Sequence, residues 1–210
     1  MNLQNLSLKQ FLEKTAGNEP VPGGGSSSAL NAAIASALTE MLANLTIGKK
    51  NYADVEDLMK ETASKMAENQ KLFVNDIDRD ADAYNLVFDA FKYPKETEEE
   101  KAFRSGKIQE AMKVAASVPM EVAERAYQML DTIAKTVKKG NKNAVTDGCV
   151  AMMACRTGIL GALLNVRINL GSIKDEAFVQ ELKEKCDWIE KETVAKEKEL
   201  TDWVNLALGF

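Results

Sequence analysis

Asp80 lies where a helical stripe of hydrophobic residues requires one more member. The stripe recurs at steps of three and four residues, and its other members are Phe73, Ile77, Tyr84, Val87 and Phe91. A carboxylate on a buried stripe loses hydration, which raises its pKa unless a cation or several donors hold it. Such an acid can transfer protons near neutral pH, so we predict Asp80 as a general acid or base. A buried salt bridge without chemistry explains the same pattern equally well.

The chain contains no histidine, which removes the Ser–His–Asp and Cys–His arrangements and the commonest protein ligand of metal ions. Proton transfer in this protein therefore depends on a carboxylate, a lysine, a tyrosine or a cysteine. The other acids around Asp80 lie off its stripe or on the edge of it. Asp76, Asp78 and Asp82 are accordingly predicted to form a solvated face. No metal site is predicted.

Three consecutive glycines stand directly before the most apolar run of the sequence. Gly23, Gly24 and Gly25 are followed by Ser26 and then by a run rich in alanine, leucine, isoleucine and methionine. Glycine lets the backbone turn and expose its N–H groups, and a helix N-terminus adds unpaired donors with partial positive charge. One interpretation of this turn is a site for a carboxylate or phosphate, and the residues alone do not decide between it and a structural loop. The alternative is a tight loop in which Ser26 is the N-cap and the glycines permit close helix contact.

A second apolar run carries small and amide side chains on one face. The residues at helical spacing are Asp147, Ala151, Gly158, Ala162, Asn165 and Asn169. A wall of small residues that ends in two amides leaves room for a planar heterocycle and offers it hydrogen-bonding groups. Close helix packing with satisfied asparagines explains the same face without a ligand, and the residues alone leave both interpretations open.

Two basic clusters follow predicted helix ends, at Gly48–Lys50 and at Lys138–Lys142. Lysine at a helix C-terminus complements the helix dipole. Because the protein as a whole is acidic, these lysines are also the expected binding sites for a polyanionic tail of a ligand.

The composition is that of a soluble globular protein with a single domain, residues 1–210. Hydrophobic residues make up 45% of the chain and charged residues 28%, which allows a sizeable core. The net charge of −5 argues against a nucleic-acid-binding protein, because such proteins carry a basic surface. The three cysteines form no CxxC pair, and neither a signal peptide nor a membrane-spanning run is recognised, so we expect reduced thiols and a cytoplasmic location.

The periodicity is helical throughout, which predicts an all-α bundle of about six or seven helices. Two apolar helices are expected to be buried inside it, with amphipathic helices around them. The predicted helices run from Ser7 to about Gly17, from about Ser26 to Thr46, from Asp54 to Tyr93, from Thr97 to a break or kink at Pro119, on to Gly140, through the apolar run that ends at Gly171, and from Asp175 onward.

Several motifs occur in the order found in one known family. They are "PVPGGGSSSALNAAIASALTEMLANLTIGKK", "DADAYNLVFDAFKYPK", "SVPMEVAERA", "GNKNAVTDGCVAM" and "NVRINL". By these motifs, which span roughly Leu6 to Asp175, the chain resembles the cyclodeaminase family. This family comprises the C-terminal half of formiminotransferase-cyclodeaminase and its stand-alone bacterial relatives. The resemblance implies an all-α fold and a homodimer that acts on tetrahydrofolate carrying a one-carbon group.

The resemblance also implies which residues act. The family's acid/base aspartate is the first residue of a D-A-x-A-[YF] motif, and that residue here is Asp80, which the apolar stripe indicates independently. Other positions that match family motifs are assigned to substrate binding, together with the adjacent Ser26. These positions are Gly23, Gly24, Gly25, Lys49, Asn143, Asp147, Asn165 and Asn169.

Two reactions are implied for such a site. The family's cyclodeaminases convert 5-formiminotetrahydrofolate to 5,10-methenyltetrahydrofolate with release of ammonia, and some stand-alone relatives are described as methenyltetrahydrofolate cyclohydrolases. We expect the first reaction, on a folate with one or several glutamates and with no other cofactor. A formiminotransferase domain is absent from the sequence, so a separate formiminotransferase is the expected partner. The alternative of another class is a non-catalytic helical bundle that binds folate or another anion, or a dimeric scaffold.

Overall fold

The computed structural model describes residues 2–209, which form seven α-helices, three short 3-10 turns and no strand. The helices are α1 (Leu8–Thr15), α2 (Gly24–Asn44), α3 (Glu56–Ala90), α4 (Glu98–Tyr127), α5 (Leu130–Lys139), α6 (Val145–Leu170) and α7 (Glu176–Leu208). The 3-10 turns are Leu3–Asn5, Lys50–Val55 and Lys142–Ala144. The prediction of an all-α bundle is confirmed.

Capping residues set several helix starts as the sequence predicts. At α1 the Ser7 hydroxyl accepts the Gln10 N–H at 3.3 Å, and the Gln10 side chain accepts the Ser7 N–H at 2.9 Å. Thr97 and Glu100 form the same reciprocal pair at the start of α4. Asp175 accepts an N–H from the first turn of α7. Each bond satisfies a backbone donor that a helix N-terminus otherwise leaves free.

The centre of the bundle is the pair of α2 and α6, with α3 and α4 packed against them. Gly158 lies against Ala32, and Gly148 against Leu42, so the two helices run antiparallel. A Cβ atom on Gly158 would stand 2.9 Å from the carbonyl oxygen of Ser28, a contact too short for any side chain. Small residues at these crossings therefore let the two backbones approach closely.

One long side of the α2–α6 pair is exposed, although the sequence predicts two buried helices. Its exposed large apolar residues are Ile34 on α2, Leu45 directly after α2, and Val150, Met153, Leu164 and Ile168 on α6, and Leu38 and Met41 on α2 are half-buried. We call this set of residues the α2–α6 face. Lys142–Leu170 would pass as a membrane span by length and composition, as core helices of soluble proteins also do, but only 44% of its most apolar window is buried. A helix that is apolar all round gives no sequence signal for which side meets the core.

The start of α2 and both ends of α3 differ from the prediction. Gly23 is the N-cap of α2, and Ser26 is a fully buried residue of the first turn rather than the cap. The reason is that the Ser26 hydroxyl has acceptors on α3, described below. The chain before α3 forms a 3-10 turn instead of helix, so α3 begins at Glu56, and it ends at Ala90 rather than at Tyr93.

Helix α4 continues through Pro119 rather than ending there. Proline has no N–H, so the carbonyl oxygen of Ala115, four residues earlier, loses its helical donor. The side-chain amide of Asn169 on α6 donates to this oxygen at 2.9 Å. The missing helical hydrogen bond is thereby replaced by one that joins α4 to α6.

Asp76 is buried, although the periodicity of α3 predicts that it is solvated. Its side chain is 2% exposed and accepts hydrogen bonds from Arg79, at 2.7 Å, and from Arg125 of α4. Asp78 is half-buried and accepts backbone N–H groups from the Leu3–Asn5 turn, and Asp82 is exposed. A buried carboxylate needs such partners, and the α4 partner cannot be seen from the pattern of α3 alone.

We expect Arg125→Met to lower the free energy of unfolding by about 3 kcal/mol, because it leaves the buried Asp76 with one cation instead of two. Adding Asp76→Asn should recover most of that loss, since the amide removes the buried charge and still accepts from Arg79. Urea denaturation of the two single variants and the double variant measures this coupling. Losses that simply add in the double variant would show that the two residues do not act as a pair.

Candidate active site

Asp80 lies where α3 passes the N-terminus of α2. The Ser26 hydroxyl donates to Asp80 Oδ2 at 2.9 Å, and the Ser26 backbone N–H donates to the same carboxylate. Gly25 lies directly against it, since a Cβ atom there would stand 1.9 Å from Asp80 Oδ1. Among the glycines that precede α2, Gly25 is thus the one that makes room for the predicted acid.

The environment of Asp80 accommodates both protonation states. Burial raises the pKa of Asp80 above its ordinary value, and the hydrogen bonds from Ser26 oppose part of this rise. The Ser26 hydroxyl also lies 3.1 Å from a second acceptor, the carbonyl oxygen of Ile77. The hydroxyl can donate to the ionised carboxylate, or it can donate to Ile77 and accept a hydrogen bond from the O–H of the neutral acid. A group that relays a proton needs this kind of support in both states.

We expect Ser26→Ala to move the acid limb of the pH–activity profile to higher pH. The change removes a donor that favours the ionised form of Asp80, so the pKa of Asp80 rises further. The profile of kcat against pH measures the change, with Ser27→Ala as the neighbouring control. An acid limb that stays in place in Ser26→Ala would mean that Asp80 does not set it.

A cavity of about 360 Å³ opens beside Asp80, within the range of small-molecule sites. It lies between the Pro20–Gly25 segment, α3, α4 and α6. Its lining residues are Pro20, Val21, Gly23, Gly24, Gly25, Asp80, Ala83, Tyr84, Val87, Met112, Ala115, Asn165, Ile168 and Asn169. The lining is mostly apolar, and within the described chain it contains one acid and no lysine or arginine.

Both asparagines of the cavity present a free side-chain oxygen that can accept a hydrogen bond. The Asn165 amide nitrogen donates to the carbonyl oxygen of Gly161 at 2.8 Å. The Asn169 amide nitrogen donates to the carbonyl oxygens of Ala115 and Asn165, both at 2.9 Å. Backbone oxygens use both N–H donors of the Asn169 amide and one of the two of Asn165, whereas both side-chain oxygens remain free to accept from a ligand. A heterocycle with N–H groups along one edge suits this wall.

A larger cavity of about 610 Å³ lies on the other side of the Pro20–Val21 segment. It shares Pro20, Val21 and Tyr84 with the Asp80 cavity, but Asp80 does not line it. Three acids and one lysine line it: Glu19, Asp78, Asp82 and Lys14. Lys14 is already paired with Glu19 at 2.9 Å, so this cavity is a poor site for an anion. The smaller cavity, which Asp80 lines, is therefore the candidate site.

The predicted site residues fall into two groups. One group lies around the Asp80 cavity and consists of Gly23, Gly24, Gly25, Ser26, Asp80, Asn165 and Asn169. The other group consists of Lys49, Asn143 and Asp147, which lie where α2 has ended and α6 begins. Helix α2 separates the two groups by about 30 Å, since a helix rises 1.5 Å per residue. Within one chain they do not form one site.

Several cavity residues were not anticipated from the sequence as site residues. Tyr84 follows Asp80 by one helical turn, and that spacing is a signal which could have identified it. Met112 and Ala115 come from α4, and no pattern in their own segment indicates that they face the acid. At the predicted anion site beside the glycines, the carboxylate that accepts hydrogen bonds within this chain is that of Asp80, and the donor residue is Ser26.

Comparison with known proteins gives consistent matches. The family model described as formiminotransferase-cyclodeaminase matches residues 7–188. The chain is 37% identical to a methenyltetrahydrofolate cyclohydrolase of Methylorubrum extorquens, over 84% of this chain and 85% of that protein. It is 31% identical to the formimidoyltransferase-cyclodeaminase of Rattus norvegicus over 84% of this chain, but it spans only 33% of that longer protein. The crystal structure of formiminotetrahydrofolate cyclodeaminase from Thermotoga maritima is similar with a TM-score of 0.84 and 32% identity, over 97% of this chain and 99% of the other.

Proposed function

Because the chain belongs to the formiminotransferase-cyclodeaminase family, we propose that the Asp80 cavity converts 5-formiminotetrahydrofolate to 5,10-methenyltetrahydrofolate and ammonia. The observation that carries the proposal is the environment of Asp80. This residue is an acid with a raised pKa, bonded to Ser26 and facing a cavity whose free side-chain acceptors suit the N–H edge of a pterin. Tetrahydrofolate is the substrate, and the chemistry uses no further cofactor.

In this reaction N10 attacks the carbon of the protonated formimino group, and a C–N10 bond forms. Asp80 takes the proton that N10 then carries and delivers it to the amino nitrogen on the same carbon. The bond from carbon to that nitrogen breaks, ammonia leaves with the electron pair, and the methenyl cation remains. Positioned acid–base groups contribute about 10²- to 10⁴-fold to such steps. The cavity adds orientation, because ring closure requires N10 to be held against the carbon.

A second candidate, the methenyltetrahydrofolate cyclohydrolase reaction, is favoured by the 37% identity to the Methylorubrum cyclohydrolase. In that direction Asp80 takes a proton from the water that attacks the methenyl carbon. A carbon–nitrogen bond of the ring then breaks, and the product is a formyltetrahydrofolate with one proton released. The same carboxylate and cavity serve both reactions, because both pass through a tetrahedral carbon between N5 and N10.

The decisive experiment offers the purified protein 5-formiminotetrahydrofolate and, separately, 5,10-methenyltetrahydrofolate. The absorbance of the methenyl group and the released ammonia are followed in parallel. Formation of the chromophore with an equal amount of ammonia supports cyclodeamination. Loss of the chromophore faster than in buffer, with no action on the formimino compound, supports the cyclohydrolase. If neither folate turns over but folate binds, the non-catalytic binding bundle replaces both proposals.

We also propose that the protein is a homodimer and, if it is a cyclodeaminase, that a separate formiminotransferase supplies its substrate. The exposed apolar side chains of the α2–α6 face support the homodimer, because clustered exposed apolar residues mark interaction sites. Sedimentation equilibrium measures the mass directly. A monomer at micromolar concentration would contradict the proposal.

A further inference from the structure

Pro119 changes the hydrogen bonding of Ala115, a residue that lines the Asp80 cavity. Pro119 is buried inside α4 and has no N–H group, so the carbonyl oxygen of Ala115 lacks the donor that a regular helix supplies. Ala115 is itself buried, and a buried carbonyl oxygen without a partner is costly. The donor therefore has to come from outside α4, and the structure provides it from Asn169, whose amide nitrogen lies 2.9 Å from this oxygen.

The hydrogen bonds of Asn169 determine the orientation of its side-chain amide. The amide nitrogen donates one N–H group to Ala115 of α4 and the other to the carbonyl oxygen of Asn165, one turn earlier in α6. A flipped amide would lose both bonds and place its own oxygen against two carbonyl oxygens. The side-chain oxygen of Asn169 is therefore the atom that remains for a ligand in the cavity that Asn169 lines.

Other contacts already attach α4 to the end of α6. The Gln109 side chain donates to the carbonyl oxygen of Ser172 at 2.9 Å and accepts the N–H group of Lys174 at 2.8 Å. Both partners lie in the segment that follows α6, and none of the three residues lines the cavity. The bond from Asn169 is thus not needed to hold the two helices together, and its specific consequence is the orientation of the amide.

We propose that Pro119 is a positioning residue for substrate binding, which acts through Asn169. By leaving the Ala115 oxygen without a helical donor, it holds the Asn169 amide with its oxygen available to accept an N–H group from the heterocycle of the ligand. That this heterocycle is a pterin rests on the proposed function. Any other residue at position 119 brings its own N–H group to the Ala115 oxygen and releases one donor of Asn169. The ligand then has to order this side chain as it binds, which weakens binding.

Pro119→Ala and Asn169→Ala, made singly and together in the full chain, test the proposal. We expect KM for whichever folate is turned over to rise about fivefold in Asn169→Ala, the effect of one neutral hydrogen bond, and about threefold in Pro119→Ala. The double variant should match Asn169→Ala, whereas independent effects would multiply to about 15-fold. The change should appear in KM rather than in kcat, because the contact serves the substrate and the transition state alike. An unchanged KM in Pro119→Ala, or effects that multiply, overturns the proposal.

The thermal stability of the wild type and the three variants tests the same link without a substrate. In Asn169→Ala the buried Ala115 oxygen has no donor, so the Tm should fall by about 5 °C. Adding Pro119→Ala should recover this loss, because the N–H group of the new alanine reaches that oxygen. In the presence of Asn169 the same proline substitution should raise the Tm by less. An equal change in Tm with and without Asn169 shows that the two residues do not share the oxygen, and it overturns the proposal.

Gln109→Ala is the matched control, because it also removes bonds between α4 and the end of α6 but lies outside the cavity. It should lower the Tm and leave KM unchanged. A KM raised as in Pro119→Ala would show that any loosening of these helices weakens binding, and positioning by Pro119 would be wrong.

Failure of the proposed function is distinguishable from failure of the positioning. If the wild type converts neither folate, the Kd of tetrahydrofolate from titration calorimetry replaces KM. The same pattern of values among the variants then means that the proposed function fails and the positioning stands. An active wild type without this pattern contradicts the positioning alone, and a wild type that binds no folate overturns both.

Discussion

Asp80→Asn is expected to lower kcat by about 10²- to 10⁴-fold while the helical fold remains intact. The amide keeps the shape of the side chain and can still accept from Ser26, but it cannot take the proton from N10. The drop should appear in kcat rather than in KM, because the lost interaction acts in the transition state. Single-turnover kinetics with 5-formiminotetrahydrofolate measures it directly. Asp82→Asn, an exposed acid two residues along α3, is the matched control and should retain activity.

The same substitution is expected to stabilise the fold at neutral pH. In the unfolded chain Asp80 titrates near 3.8, whereas in the fold its pKa is raised by burial. Between these two values the folded state binds more protons, so the wild-type stability falls as pH rises through this window. The asparagine variant has no such dependence at this position. The advantage of the variant should therefore be full above the folded-state pKa and vanish below the unfolded value.

Denaturant unfolding of both proteins between pH 4 and pH 8 measures this difference. A loss of activity together with a gain of stability would mark Asp80 as an acid retained for chemistry rather than for structure. An asparagine variant with full activity, or one whose stability advantage grows as the pH falls, would contradict this assignment. A structural salt bridge predicts the opposite result, since removing one partner of a buried pair destabilises the fold.

The contrast between Asp76 and Asp80 shows what the sequence can and cannot predict about an acid. The apolar periodicity of α3 identifies Asp80, because hydrophobic residues occupy the same stripe both before and after this position in the sequence. The same period misplaces Asp76, whose burial depends on Arg125, a residue of α4 that is 49 positions away. Helical periodicity is read from one helix at a time, so it cannot predict contacts with residues of a neighbouring helix.

The sequence predicts helix starts well where a side chain accepts a backbone N–H group from the first turn of the same helix. Thr97 and Asp175 cap their helices as expected, and the pattern around each is complete within a few residues. The alternative in which Ser26 is the N-cap of α2 is wrong, because its hydroxyl donates to acceptors on α3 and Gly23 is the N-cap. Whether a serine hydroxyl accepts from local backbone N–H groups or donates to a distant acceptor is decided by tertiary packing, which the local sequence does not encode.

The apolar helices α2 and α6 illustrate a different limit. Their composition predicts correctly that they form the centre of the chain's packing, yet one side of each is exposed. A helix that is apolar on all sides carries no period that points to the core. Composition therefore identifies these two helices as central, but it does not predict which side of each is exposed.

Gly25→Ala is expected to lower kcat by about 10²-fold or more, because a misplaced catalytic group loses its orientation. The new methyl group would stand 1.9 Å from Asp80 Oδ1 and 2.5 Å from its Cγ, so the carboxylate must rotate out of its position beside Ser26. The atoms in the way belong to the end of a side chain, and α2 itself need not move. Alanine is also favoured over glycine within a helix by about 1 kcal/mol. Activity and stability should therefore change in opposite directions.

The control for helix propensity is Gly106→Ala in α4, where a methyl group has nothing within 4 Å among the described atoms. It should show the gain in stability with unchanged kcat. The double variant Gly25→Ala/Asp80→Asn tests the mechanism, because two changes that remove the same carboxylate should not multiply. Its kcat should equal that of Asp80→Asn alone. If Gly25→Ala instead keeps wild-type kcat, α2 and α3 can separate without loss of function, and the close approach of Gly25 is not what positions the acid.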